Sequence, residues 1–347
     1  MNTYDSYSAD LSQIADRRRI GLWINRPDFE LDGDDGKTMD VQIITPFTDP
    51  SLFKKLTPGT FIILDIVDGY LVEETPFLKD YLRYFLRSSK REALHKPKRF
   101  SESLKEICSK VDLIVVASHE QAKIARLYNT NVTIIRDCHD ELGIPLNIKE
   151  FRKKDGFNLF WEGLGFTIFH FEEAAKDLQR FLLETNSTLN LVTNETFSRH
   201  AGMFGKIETR HLIKKIFGPA AQNVCIHPWS QEKVREVAAK CDFGVIPILE
   251  NDKFARLKPE NKLLIYWRFG LQTLFSDTPS YVRLADEVGV PEYSVKSGMW
   301  AEKLDEISKA PRFLNENVLN IQEHLLRFHS EEIILEQWKK ALNSLKA

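Results

Sequence analysis

The sequence predicts an α/β protein built as two doubly wound units in series. Three observations carry that expectation. The chain has 347 residues, too long for one simple core and suited to two domains of ordinary size. Short continuous apolar runs such as TFIILDIVDGYL (60–71) and DLIVVAS (112–118) suit strands buried on both faces, as in a parallel sheet. These runs alternate with segments of helical spacing, and the alternation breaks off once and then restarts.

The first 16 or so residues are polar and lack apolar periodicity. RIGLWI (19–24) and MDVQIITPF (39–47) read as strands, with the DGDDG between them as a turn. The run at 60–71 follows Pro58-Gly59 and reads as a buried strand. PFLKDYLRYFLRSSKREAL has helical spacing and a basic last turn; RFSESLKEICSKV is a second amphipathic helix leading into the strand at 112–118. HEQAKIARLYN reads as a helix and NVTIIRD (131–137) as the next strand. The charged, poorly periodic IKEFRKKDGF (148–157) reads as the connection, giving domains at 1–150 and 151–328.

In the second unit FNLFWEG (157–163) is a strand entering a glycine turn, EEAAKDLQRFLLET a helix and LNLVTNE (189–195) a strand. TRHLIKKIFG reads as a short helix, NVCIHPW (223–229) as a strand, SQEKVREVAAKC as a helix capped by Ser230, and DFGVIPIL (242–249) as a strand. In LKPENKLLIYWRFG (257–270), Pro259 suits the first position of a helix and Gly270 the residue past its end. QTLFSD (272–277) is a strand; YVRLADEVG and MWAEKLDEISK continue the pattern. SEEIILEQWKKALNSL, within 329–347, is a last amphipathic helix.

Composition narrows the class. Hydrophobic residues make up 43% and charged residues 28%, which is globular. The net charge of −2 gives no bulk signal for nucleic acid. The four cysteines show no CxxC pair and no His at metal spacing, so a reduced, cytoplasmic setting is expected. No signal-peptide core and no membrane-spanning run stand out, so the sequons at Asn131, Asn186 and Asn194 carry little weight. The sequence contains no GxGxxG, no GxxxxGK[ST] and no GxSxG, which argues against a nicotinamide enzyme, a P-loop enzyme and the common hydrolase.

The candidate residues sit where strands end. Lys258, Asn261 and Lys262 are spaced i, i+3, i+4, which puts them on one face of a helix start, with Arg256 just upstream. A helix N-terminus is already electropositive and prefers acidic neighbours, so cations there point to a phosphate. The competing reading is a solvated edge balanced by Glu250, Asp252 and Glu260. Gly163 closes the first strand of the second unit, where a missing side chain lets a ligand approach the backbone; it also reads as an ordinary turn glycine. Trp229 is a stacking candidate for a nucleobase or a packing residue. In the first unit Asp65 and Asp68 lie near the end of a buried strand, placed to hold a sugar hydroxyl or to bond locally. Ser118 and His119 close the next strand, and His139 in DCHD (137–140) is an acid–base candidate or a structural histidine. DGDD (32–35) is a weak metal candidate, since acidic glycine turns are frequent.

From about residue 58 onward these stations resemble the GT-B glycosyltransferases, and within them the large group 1, family-4-like retaining branch. The resemblance is strongest from 223 to 281, through NVCIHPWS, VAAKCDFGVIPIL and KPENKLLIYWRFGLQTLFSDTPSY. It implies two Rossmann-like doubly wound domains facing across a cleft, with the last helix returning to the N-terminal domain. It implies transfer of a sugar from a nucleotide-diphosphate sugar to a glycan, lipid-linked or protein acceptor, with no cofactor, no metal, no nucleic acid and at most peripheral membrane contact; a homo-oligomer is compatible with it. Gly163, Arg256, Lys258, Asn261 and Lys262 would hold the diphosphate. His227, Trp229, Ser230 and Pro247 would border the nucleoside. Asp68 would act in catalysis, with Ser118 and His119 on the acceptor side. The chain departs from the common pattern of two glutamates eight positions apart: Leu257 and Ile265 stand there. That departure keeps open a non-catalytic nucleotide-sugar-binding or partner subunit. A non-hydrolysing epimerase on the same fold would want more cleft histidines than His119 and His139.

Overall fold

The computed structural model describes residues 18–24, 26, 41–46, 48, 59–72, 77–87, 98–142, 156–198, 205–309 and 313–345. Two compact units form. The first takes Met1–Glu141, Lys253–Pro259 and Arg327–Ala347; the second takes Leu142–Asp252 and Glu260–Leu326.

The first unit is built on a parallel sheet of β1 (Val41–Ile44), β2 (Phe61–Ile66), β3 (Leu113–Val116) and β4 (Val132–Ile134), in that spatial order. Strand side chains alternate between faces. Ile62, Leu64 and Ile66 of β2 therefore pack with Tyr84 of α1 (Phe77–Arg87), with Phe100, Leu104 and Ile107 of α2 (Phe100–Cys108), and with Ala122 and Ala125 of α3 (His119–Ala125). Ile63 goes to the opposite face, beside Ile20, Trp23, Ile334, Trp338 and Leu342. The last three belong to the terminal helix Glu331–Asn343, so the chain's end closes this unit. Full burial of each such side chain stabilises by roughly 1.5–3 kcal/mol. Two carboxylate contacts anchor the helix start: the backbone N–H of Glu331 donates to Asp140 Oδ2 at 2.6 Å, and Arg26 pairs with Glu331 at 2.5 Å.

One expected strand is absent. Ile20–Leu22 is a 3-10 turn. Its buried Ile20 and the buried Trp23 just after it stand three apart, which is one turn of such a helix rather than an alternation. The DGDD metal candidate (32–35) lies outside the described residues.

The second unit is a six-stranded parallel sheet of β5 (Asn158–Glu162), β6 (Thr188–Thr193), β9 (Val224–Pro228), β10 (Phe243–Ile246), β11 (Gln272–Ser276) and β12 (Ser294–Val295), with a separate hairpin of β7 (Thr196–Ser198) and β8 (Lys206–Glu208). Its order is β12-β11-β10-β5-β6-β9. The chain starts in the middle, winds outward through β6 and β9, then reverses to β10 on the other side of β5. Helices α4 (Ala175–Glu184), α5 (Thr209–Phe217), α6 (Gln231–Lys240), α7 (Asn261–Arg268), α8 (Pro279–Val288) and α9 (Trp300–Lys309) belong to this unit. Ser230 caps α6 as expected, its hydroxyl accepting from Lys233 N at 3.0 Å. Among the described residues no helix is long and apolar enough to cross a membrane.

Candidate functional site

In an open doubly wound sheet, ligands bind at the carboxyl ends of the strands where the order reverses. In the second unit that point lies between β5 and β10. β5 runs out at Glu162 into Gly163, whose backbone N–H donates to Val192 O at 3.2 Å. A Cβ built on Gly163 would meet Trp161 Cη2 at 2.8 Å and Lys262 Nζ at 2.9 Å. So the glycine makes room for a cation. Lys262 lies in the first turn of α7, and its ammonium sits 4.5 Å from the centre of the Trp161 ring.

Helix α7 is fixed to the end of β5 by a buried phenol. The Glu162 N–H donates to Tyr266 Oη at 2.7 Å. Burial, and then the Glu162 carboxylate, push the Tyr266 pKa well above its ordinary value, so the hydroxyl stays protonated. The ring fits because Gly244 of β10 has no side chain: a Cβ there would stand 2.5 Å from Tyr266 Cδ2. The N-cap of α7 is Glu260, fully buried and paired with Arg283 at 3.0 Å. A negative charge thus lies at the helix start beside the cations, which the macrodipole favours.

The loops after β5, β6 and β9 converge. Trp229 is 41% exposed; its backbone N–H donates to Thr193 O at 3.1 Å, and its Nε1 donates to Glu162 Oε2 at 3.4 Å. The Thr193 hydroxyl is buried with no hydrogen-bond partner. His227 turns elsewhere. Its Nε2 lies 3.1 Å from Asn190 Oδ1, and burial together with Lys233 of α6 lowers its pKa, which keeps it neutral at pH 7. Pro247 follows β10 and is buried. Glu162, Thr193 and Tyr266 were not among the residues the sequence singled out; the only trace of them is that each stands beside a glycine turn, a strand end or an aromatic helix position.

The four clustered cationic and amide residues divide. Helix α7 begins at Asn261, so Lys258 precedes the helix and does not share its face, and Pro259 is not the first helical residue. Arg256 ends a short helix, Lys253–Arg256, and belongs with Lys258 to the first unit.

Within the first unit, Lys258 Nζ lies 3.3 Å from Asp68 Oδ1 and 5.3 Å from the centre of the Phe254 ring. Phe254 packs edge-on to Tyr70, with ring centres 5.3 Å apart. Gly69 permits this: a Cβ there would stand 2.3 Å from Phe254 O. Asp68 is half-buried just beyond β2. Asp65 is not available to a ligand in the way the sequence suggested. It is 1% exposed and accepts from Arg19, with Nε at 2.8 Å and Nη2 at 2.5 Å. Ser118 is buried and caps α3, accepting from Gln121 N at 3.2 Å, while His119 is exposed at the helix start. Gln121 ties the two strand ends together, accepting from Ala117 N and donating to Val67 O, each at 2.9 Å. His139 is buried.

No family model and no curated protein matches the sequence. Solved structures do. A TarM mutant of S. aureus in complex with fondaparinux, alpha-GlcNAc-glycerol and UDP matches at TM-score 0.59 and 11% identity, over 87% of this chain and 55% of that one. WaaG, a glycosyltransferase involved in lipopolysaccharide biosynthesis, matches at TM-score 0.51 and 11% identity, over 84% and 79%. The E. coli trehalose-6-phosphate protein bound with UDP-2-fluoro glucose matches at TM-score 0.56 and 11% identity, over 88% and 74%. This chain spans about half the length of TarM. At such identities the likeness is one of fold, and the fold is GT-B.

Proposed function

We propose that the chain is a glycosyltransferase that takes a sugar from a nucleotide-diphosphate donor. The observation that carries this reading is the Lys262 ammonium held against the backbone of Gly163 at the strand-order reversal of the second unit. A diphosphate laid on Gly163 would meet that charge, the Asn261 amide and the electropositive start of α7. Lys262 would then stabilise the charge that grows on the leaving nucleoside diphosphate. Trp229 and Ser230, with Glu162 and Pro247 near them, are proposed to border the nucleoside; His227, turned to Asn190, is left out of that set. Asp68 and His119 are proposed for the acceptor, a glycan, lipid-linked or protein hydroxyl, with Asp68 orienting it; Ser118, buried as the cap of α3, only positions that helix start. Two of the similar proteins were solved with UDP or a UDP-sugar analogue, which supports trying UDP-sugars first. The transfer is proposed to retain the anomeric configuration and to need no metal.

Leu257 and Ile265 favour a second reading. Both positions lack the carboxylate that the resemblance leads one to expect, so the chain is also readable as a subunit that binds a nucleotide sugar without turning it over. Donor hydrolysis separates the two. Purified protein is incubated with a panel of UDP- and GDP-sugars in EDTA, and released nucleoside diphosphate is quantified. Release above the protein-free control, abolished in Lys262→Ala, is the expected result. Nucleotide binding with no release across the panel would leave the binding subunit.

A further inference from the structure

Glu260 carries a charge that a phosphate site would not choose. It is the N-cap of α7, two residues before Lys262, and it is 0% exposed. Its backbone carbonyl opens the helix ladder, accepting from Leu264 N at 3.0 Å. Its side chain makes no capping hydrogen bond, so the carboxylate is not there to finish the helix. The positive end of a helix attracts a carboxylate and a phosphate alike. A second carboxylate, Glu162, ends β5 beside Gly163. Both bear on the buried Tyr281 of α8, whose pKa is raised by burial first and then by Glu260 and Glu162. An anion laid on Gly163 is therefore set down near two carboxylates as well as Lys262.

Arg283 changes that balance. It stands on α8, the next helix in the chain, and its Nη2 donates to Glu260 Oε1 at 3.0 Å. Its Nη1 donates to Glu287 Oε1 at 2.9 Å, one turn further along α8. Glu287 is exposed, so water screens its charge. Glu260 is shut away from water, and a buried charge needs a partner.

We propose that Arg283 is a positioning residue of the diphosphate site: it cancels the buried Glu260 charge, so that the start of α7 presents Lys262 to an anion without repulsion from beneath. This rests on the reading of Gly163 and Lys262 as that site. Arg283 acts through Glu260 and need not touch the ligand. The effect is electrostatic, so it grows with the charge of the ligand, which a packing role would not do.

Isothermal titration of UDP, UMP, GDP and GMP into the full chain tests it. Arg283→Met should weaken binding of the diphosphate by about tenfold and of the matching monophosphate by less. Arg283→Lys keeps the charge and should keep most of the wild-type affinity. Glu260→Gln should bind the diphosphate at least as tightly as wild type, and the double variant Arg283→Met, Glu260→Gln should recover what Arg283→Met loses. Unchanged diphosphate affinity in Arg283→Met would overturn the proposal, as would an equal loss for diphosphate and monophosphate or a double variant no better than the single. Should Arg283→Met fail to fold, weaker diphosphate binding by Glu260→Gln would overturn it by itself. Wild type that binds neither UDP nor GDP removes the diphosphate site and this role with it. Wild type that binds, with Lys262→Ala impaired and Arg283→Met unaffected, removes this role alone.

Discussion

Arg19 is 1% exposed and spends its whole guanidinium inside the first unit. It donates to both oxygens of Asp65, to Asp137 Oδ1 at 2.8 Å and to Ile135 O at 2.8 Å. Burial works against its charge, but the two carboxylates outweigh it and hold the group protonated well beyond the usual arginine range. Such an arrangement stabilises little over a packed apolar equivalent, yet breaking it strands charge. Arg19→Met removes the cation that the buried Asp65 and Asp137 share and should cost about 3–5 kcal/mol in urea unfolding. A loss well under 1 kcal/mol would mean water or rearrangement relieves Asp65 and Asp137 without help. No linear pattern announces the partnership. Arg19 and Asp65 are 46 positions apart, and an aspartate near a strand end looks the same whether it meets a sugar or a buried arginine.

Among the elements, α7 gathers most of the site. Its body was legible, because Leu263, Leu264, Tyr266 and Trp267 form a buried stripe and Gly270 takes φ +68 just past its end. Its start was not. Glu260 supplies the N-cap, and the chain before it breaks into the short helix Lys253–Arg256, so the cations fall into two groups. Spacing rules apply only once the first helical residue is known, and Pro259 misplaces it by two. The strands were easier. Phe61–Ile66, Leu113–Val116 and Phe243–Ile246 are almost wholly buried, and a short apolar run has few other uses. The loop after β5 offers a test at this scale. Gly163→Ala would press a methyl on the Trp161 ring and on Lys262 Nζ. The ammonium, at the far end of a flexible chain, can move, but the buried Trp161 ring cannot move easily, and φ +157 strains any side chain there. Nucleoside diphosphate binding should therefore weaken by several-fold or about tenfold, one lost charge-assisted contact at most, and the melting temperature should fall as well. Unchanged binding would show that Lys262 does not need its place beside Gly163.

Across the whole molecule, two α/β units with parallel sheets account for the likeness to GT-B structures at about a tenth sequence identity. That likeness rests on strand order and alternation, which apolar patterning preserves while individual residues drift. It does not reach donor, acceptor or catalytic residues, because those depend on a handful of side chains; here Leu257 and Ile265 already depart from the common pattern. The segment Lys253–Pro259 shows the same limit. It belongs to the first unit although both its neighbours in sequence belong to the second, and nothing in LKPENK marks the crossing. The central claim concerns one cation at one strand-order reversal. Isothermal titration of UDP and GDP into wild type and Lys262→Ala tests it most directly. The account predicts binding by wild type and a loss of roughly 1.5–3 kcal/mol in the variant, the worth of a charge-assisted hydrogen bond to phosphate. Equal affinity in the two proteins would contradict it.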